Sequence, residues 1–247
     1  MKGFGAQAAV YDEVAHVQAD VARRLAARLG GSPARILEIG CGTGLLSAHL
    51  TAKFPAAKLV LTDVAPEMLL QARGKFGTGP AYCVMDGQHP DASLGAFDLI
   101  VSSLAFQWFD DLPGALVRLA AMLAPGGVLA FATLGAESFA EWRAAHVEMG
   151  LACGLRDYVA AEMFPWPAGV AGRLSVEVIE EWHPSGRDFA RGMKRLGAAT
   201  APLENRPVGS GKFRALLKRF ENGFTAQYEI LYGVITRPQT PSAHSPR

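Results

Sequence analysis

Strand-like and helix-like segments alternate at regular spacing between Arg35 and Thr133, and that alternation excludes most folds. Residues 35–39 read as a short apolar strand and 45–53 as a helix. Residues 58–62 are a strand ending at Asp63, and 65–75 a helix with Pro66 in its first turn. A strand over 81–85 ends at Asp86, followed by a strand over 97–102 and a helix over 112–123. A turn at Pro125-Gly126-Gly127 leads into a fifth strand, 128–133. This cadence requires right-handed crossovers and a parallel sheet covered on both faces.

The flanks read differently. Val10, Val14, Val17, Val21, Leu25 and Leu29 recur at helical spacing, and Gly30 and Gly31 stop that helix. Past Ser138 a helix is expected over 138–153 and strands over 173–182 and 225–237. The second of these strands alternates through Tyr228, Ile230, Tyr232 and Val234. Helices are expected over 188–196 and 211–220. The last ten residues, rich in Pro, Ser and Thr, read as a frayed tail.

Composition narrows the function classes. Half of the 247 residues are hydrophobic, enough for a packed core, and the net charge is +1. A chain so nearly neutral has no global field for a nucleic acid or a membrane surface. Cys41, Cys83 and Cys153 are odd in number and widely spaced, so neither a disulfide framework nor a zinc site is expected. A reducing, cytoplasmic setting is the expectation. Tyr11, Asp12, Glu13 and His16 interrupt any signal-peptide core, and no run approaches the roughly 20 apolar residues of a membrane span.

The chemistry begins at Glu38-Ile39-Gly40-Cys41-Gly42-Thr43-Gly44, at the carboxyl end of the first strand and the mouth of a helix. A dinucleotide fingerprint would need its third glycine one residue later, where Leu45 stands, and a Walker loop would need Gly-Lys-Ser/Thr. The spacing instead resembles the first motif of class I S-adenosylmethionine-dependent methyltransferases. The resemblance implies a Rossmann-like domain with a seven-stranded, mostly parallel sheet, an antiparallel last strand and a helical cap.

In that class Gly40, Gly42 and Gly44 would pass beside the cofactor, and Glu38 would order its methionine amino group. Asp63 would accept both ribose hydroxyls, Asp86 and Gly87 would face the adenine, Met68 would pack beside the ring, and Ser102 would flank the site. Each Asp alone could be a helix cap. Three such features in register on successive strands point to S-adenosyl-L-methionine.

The fourth strand leads into Ser102-Ser103-Leu104-Ala105-Phe106-Gln107-Trp108, with neither an Asn/Asp-Pro-Pro-Tyr/Phe loop nor a Pro-Cys nucleophile. No basic-aromatic groove for a nucleic acid is present. A closer resemblance lies in 97–108, Asp110-Asp111-Leu112-Pro113, Leu123-Ala124-Pro125-Gly126-Gly127 and Thr133-Leu134-Gly135. With Ala9-Val10-Tyr11-Asp12, Gln18, Lys194-Arg195-Leu196-Gly197-Ala198 and 228–234, these segments resemble the malonyl-acyl-carrier-protein O-methyltransferases of biotin synthesis. The match is loose over 152–184.

The resemblance implies methyl esterification of a malonyl thioester's free carboxylate, the step that primes pimelate assembly. That carboxylate is ionised at neutral pH, so no general base is needed. Arg143 would clamp it, a role to weigh against a solvated helix Arg. Tyr11, on an N-terminal lid (1–30), would donate to it or merely pack. Gln107 and Trp108 would shape the acceptor pocket, although Trp108 also fits a core position. His146, one turn past Arg143, reads as exposed.

From Arg187 to Arg219 nine basic residues face Asp188 and Glu204, a local net of +7. This basic helical insertion (184–222) would dock the malonyl-acyl carrier protein, or malonyl-coenzyme A, unless it is simply a solvated face. The unit would span 1–237, with 238–247 a tail. Two other readings are a carboxyl or oxygen methyltransferase of a free small metabolite, and a cofactor-binding assembly protein without turnover.

Overall fold

The computed structural model describes residues 11–196 and 210–239. Expectations involving Ala9, Val10, Gly197, Ala198, Glu204, Arg206 and residues 240–247 lie outside those segments. The elements are α1 (His16–Arg28), β1 (Arg35–Ile39), α2 (Leu45–Lys53), β2 (Lys58–Asp63), α3 (Pro66–Phe76), β3 (Ala81–Val84), β4 (Phe97–Ser103), α4 (Leu112–Ala121), β5 (Leu123–Leu134), α5 (Ala140–Glu148), β6 (Ala171–His183), α6 (Gly186–Arg195), α7 (Ser210–Arg219) and β7 (Phe224–Thr236). The sheet order is β3-β2-β1-β4-β5-β7-β6. β1 to β5 pair in parallel, and β7 is antiparallel to both β5 and β6. The last strand therefore alone opposes the others.

Both faces of the central strands are buried. Ile36, Leu99, Val101, Ala130 and Ala132 face a core completed by α1, α2 and α5, while Leu37, Ile39, Ile100, Leu129 and Phe131 face the core under α4. Apolar side chains at successive positions serve both layers, which is why these strands read as unbroken hydrophobic runs.

Several boundaries differ from expectation. The helix read from Val10 through Leu29 begins only at His16, after a separate 3-10 turn at Tyr11–Glu13. Pro125-Gly126-Gly127 is not a separate turn before the fifth strand but a bulge inside β5. Leu123 pairs with Phe97, and the next paired residue, Val128, meets Leu99. The helix expected over 138–153 is shorter at both ends. Phe139 caps it with φ 61°, and Gly150, also at φ 61°, lies just beyond it.

The β5–β7 pairing leaves no room for a side chain at Gly233. A Cβ there would lie 1.9 Å from the Phe131 ring, which packs against Phe106 and Phe164 at centroid distances of 5.2 and 5.0 Å. Gly233→Ala is expected to cost about 1–3 kcal/mol through overpacking. Thermal unfolding would show this as a midpoint lowered by several degrees; an unchanged midpoint would mean that the aromatic cluster yields freely.

Candidate active site

The carboxyl ends of β1, β2, β3 and β4 meet where the strand order reverses, the position at which open α/β sheets bind ligands. A cleft of about 970 Å³ opens there. Glu38, Gly40, Gly42, Asp63, Met68, Asp86, Gly87 and Tyr11 line it, so the structure brings together most of the residues singled out in sequence. Gly40 has φ 66°, and a Cβ would stand 2.5 Å from that of Ala105, so the loop closes directly onto the end of β4.

Two expected residues stand elsewhere. Gly44 is the left-handed N-cap of α2 (φ 93°), packed so closely that a Cβ would meet Phe76 at 2.3 Å. It shapes the loop without lining the cleft. Ser102 is wholly buried and donates to the Ile39 carbonyl at 3.0 Å. Strand alternation turns its neighbour Ser103 to the cleft instead.

The three carboxylates differ in environment. Asp63 accepts from the Gly42 N–H at 2.9 Å through one oxygen and from the Ala65 N–H at 2.8 Å through the other. Burial raises its pKa, partly offset by these backbone donors. Glu38 is buried and accepts from the Ser47 hydroxyl at 2.6 Å. Burial, helped by the charge of Asp63 and opposed by Ser47, pushes Glu38 up to about 8. Partial burial acts to raise Asp86, but the Gln88 N–H at 2.9 Å and His89 at 3.3 Å hold it below the usual carboxylate value.

A 3-10 turn at Tyr11–Glu13 covers one side of the cleft. Tyr11 packs on Ala65 and Met68. Asp12 accepts from the Thr43 hydroxyl at 2.5 Å and also pairs with Lys75. Burial, then the charges of Asp63 and Asp12, raise the Tyr11 pKa far above its ordinary value, keeping the phenol protonated.

A second cavity of about 500 Å³ adjoins the first, sharing Tyr11, Gln18, Leu104 and Trp108 as walls. Gln107, Tyr158, Met193, Leu196 and Tyr228 line it further. Gln18 presents an amide oxygen that is buried without a hydrogen-bond partner among the described residues. Leu104 has φ 53°, unusual for a residue with a side chain. Its N–H donates to Ala132, and its carbonyl accepts from the Gln107 amide at 2.7 Å; the Thr133 hydroxyl holds the other end of that amide at 3.1 Å. Strain held by β5, directly through Ala132 and indirectly through Thr133 and Gln107, at the junction of two cavities marks a built feature.

Arg143 lines neither cavity. Its Nε donates to the Ser138 carbonyl at 3.1 Å and Nη2 to that of Arg156 at 2.5 Å, while Nη1 lies 3.6 Å from Asp157. His146 is buried, not exposed: Nδ1 lies 2.8 Å from the Trp142 carbonyl, and the two rings pack at 5.0 Å. Trp108, also a candidate for the core, lines both cavities.

Comparison with known proteins places the chain. Residues 37–129 match the family described as "Methyltransferase domain". The chain is 42% identical to the malonyl-[acyl-carrier protein] O-methyltransferase of Magnetococcus marinus, over 96% of its own length and 91% of that protein's. It belongs to the malonyl-acyl-carrier-protein O-methyltransferase family. The family's Geobacter sulfurreducens member is 34% identical over 94% of this chain and 95% of that one. The chain also matches the biotin biosynthesis bifunctional protein BioCD of Bordetella avium at 40% identity, spanning about half (52%) of that longer protein.

Among solved structures, the fold resembles a Bacillus halodurans putative methyltransferase. The TM-score is 0.63 at 16% identity, covering 89% of this chain and all of the other. The Bradyrhizobium japonicum N-methyltransferase NodS, solved with S-adenosylhomocysteine, gives a TM-score of 0.52 at 17% identity over 92% and 88% of the two chains. S-adenosylmethionine is the methyl donor of this methyltransferase family. The cleft's chemistry suits it: a buried carboxylate at Glu38, a part-buried one at Asp63, a third just past the β3 end, and glycines where a backbone must approach closely.

Proposed function

We propose that this protein methylates the free carboxylate of malonyl-acyl carrier protein, masking it as an ester to prime pimelate assembly in biotin synthesis. The observation that carries this reading is the second cavity. It opens onto the cleft beside Tyr11 and Gln18, and α6 supplies Met193 while Leu196 follows at its end. The outer surface of that same helix is basic. A thioester arm reaching past Met193 and Leu196 would bring its terminal carboxylate to the cleft.

In this reading Glu38 holds the methionine ammonium, Asp63 the ribose hydroxyls and Asp86 with Gly87 the adenine edge. Met68 packs on the ring, while Gly40, Gly42, Gly44 and Ser102 set the backbone around it. When bound, the cofactor would supply an electrophilic methyl on a sulfonium: a carboxylate oxygen would attack that carbon in line, the ester C–O bond forming as the C–S bond breaks and S-adenosylhomocysteine leaves, with no proton transferred. The chain's part is to align that oxygen and exclude water, the Tyr11–Glu13 turn acting as the lid. Arg143 supports the acceptor side as a cation behind the wall.

Carrier docking falls to exposed cations that make no ion pair among the described residues: Arg187 and Lys194 on α6, Lys212 and Lys218 on α7. Arg191, Arg195 and Arg219 are paired with Asp188, Glu13 and Glu148. An acidic carrier meets such a face by electrostatic complementarity. Among the described residues no helix is long and apolar enough to cross a membrane.

Methyl transfer from labelled S-adenosylmethionine to malonyl-acyl carrier protein, malonyl-coenzyme A and free malonate tests the reading. Ester on the carrier-bound substrate with little on malonate is the expected result. No ester on any of them, despite cofactor binding, would reject it in favour of another acceptor or of an assembly protein without turnover. The double variant Lys194→Glu, Lys212→Glu is expected to raise KM for the carrier substrate by about tenfold or more at low salt, with a much smaller change for malonyl-coenzyme A. Equal changes for both would remove the docking face.

A further inference from the structure

Three phenols stand in the wall of the second cavity, and they are not equivalent. Tyr228 donates to Glu181 at 2.9 Å, so its proton is already engaged and it can offer an incoming group only lone pairs. Tyr11 stands against Asp63 and Asp12, whose charges oppose an anion in the same place. Tyr158 is different. Its hydroxyl makes no hydrogen bond among the described residues, and the Arg143 guanidinium lies 5.1 Å from its ring centroid. The ring also packs against Phe139 at 6.4 Å.

Arg143 cannot easily do more than stand behind Tyr158. Two of its nitrogens are held by the Ser138 and Arg156 carbonyls and a third faces Asp157, so turning toward the cavity would break the ties that fix the loop carrying Tyr158. We propose that the Tyr158 hydroxyl is the donor that holds the acceptor carboxylate, and that Arg143 is a positioning residue acting through it. The proposal rests on the malonyl-carboxylate reading above and names the residue that would enforce it.

The chemistry fits a phenol better than a direct guanidinium clamp. A carboxylate entering a largely apolar chamber must find a donor, and a single O–H binds one oxygen while leaving the other free to attack. A bidentate Arg would occupy both oxygens. Burial pushes Tyr158 up to about 12 even though Arg143 and Arg156 act to lower it, while Cys153 acts to raise it; the group stays a donor throughout the physiological range. Once the methyl is transferred the oxygen is no longer anionic, so the same bond weakens in the ester product and favours its release.

Tyr158→Phe keeps the ring, its packing and its contact with Arg143, and removes only the donor. With S-adenosylhomocysteine bound to prevent turnover, the variant is expected to bind malonyl-acyl carrier protein about 10- to 100-fold more weakly, as for a lost hydrogen bond to a charged group. Binding of the methyl-ester carrier should weaken far less, as for a hydrogen bond to a neutral group, and the S-adenosylhomocysteine Kd and the thermal midpoint should be unchanged. Loss of neither ligand, or equal loss of both, would overturn the proposal.

Adding Arg143→Lys to Tyr158→Phe should cost little further discrimination between acid and ester, because Arg143 acts through the phenol. Additive losses would instead mean that Arg143 touches the carboxylate itself. If the wild-type protein failed to bind malonyl-acyl carrier protein at all, the substrate reading would fall first and this assignment with it.

Discussion

Asp63→Ala is expected to weaken S-adenosylhomocysteine binding by at least about 100-fold. Two charge-assisted hydrogen bonds from a ribose are at stake, each contributing about 1.5–3 kcal/mol. Water refilling the site recovers part of that, so the lower end sets the bound. The carboxylate also organises the empty site, since its two oxygens hold the Gly42 and Ala65 N–H groups. Removing it frees the glycine loop and the β2–α3 turn together, and some thermal stability should go with it. Asp63→Asn separates the two roles: it keeps one acceptor oxygen and the volume but loses the charge. Titration calorimetry should find it weakened less than Asp63→Ala, and its unfolding temperature should lie between that variant and wild type, because the amide nitrogen cannot accept from the second backbone N–H. An Asp63→Ala Kd within about threefold of wild type would remove the ribose from this carboxylate.

The part of the site that sequence made legible is the part whose physics is local. Glu38, Asp63 and Asp86 each stand at or next to the carboxyl end of a parallel strand, and a strand's end can be read from its own apolar run. The second cavity has no such signature. Tyr11, Leu104, Phe139, Tyr158, Leu196 and Tyr228 come from six separated segments, and only the packed fold brings them together.

The remaining misplacements share that cause. Ser102 and Ser103 are indistinguishable until the pleat of β4 assigns one to each face. Arg143 reads as a clamp because it follows β5 on a helix, yet the carbonyls of Ser138 and Arg156, one of them 13 residues downstream, take up its donors. His146 reads as exposed beside charged neighbours, but the aromatic cluster around Trp142 buries it.

Affinity for S-adenosylhomocysteine is expected to rise with pH between about 6 and 8 and then to level off. Burial, aided by Asp63 and opposed by Ser47, places the Glu38 pKa at about 8, so below that value the empty site holds a neutral carboxylic acid. Pairing with the ligand's ammonium requires the carboxylate, so binding must release a proton. The affinity therefore gains up to about tenfold per pH unit until the group is ionised without help.

The same linkage sets the sign for the empty protein. Between about 4.5, the ordinary value, and about 8 the native state holds a proton at Glu38 that the unfolded state has lost. Stability from this group is therefore full below that window, falls as pH rises through it, and ligand opposes the fall. Glu38→Gln cannot ionise and should bind more weakly with a flat pH profile.

Asp63→Asn provides the cross-check. Removing the neighbouring negative charge should lower the Glu38 pKa and move the plateau to lower pH, even as overall affinity falls. A wild-type profile that is flat from pH 6 to 8, with proton uptake or no proton change in the calorimeter, would mean that Glu38 is already ionised in the empty site or does not meet the ammonium.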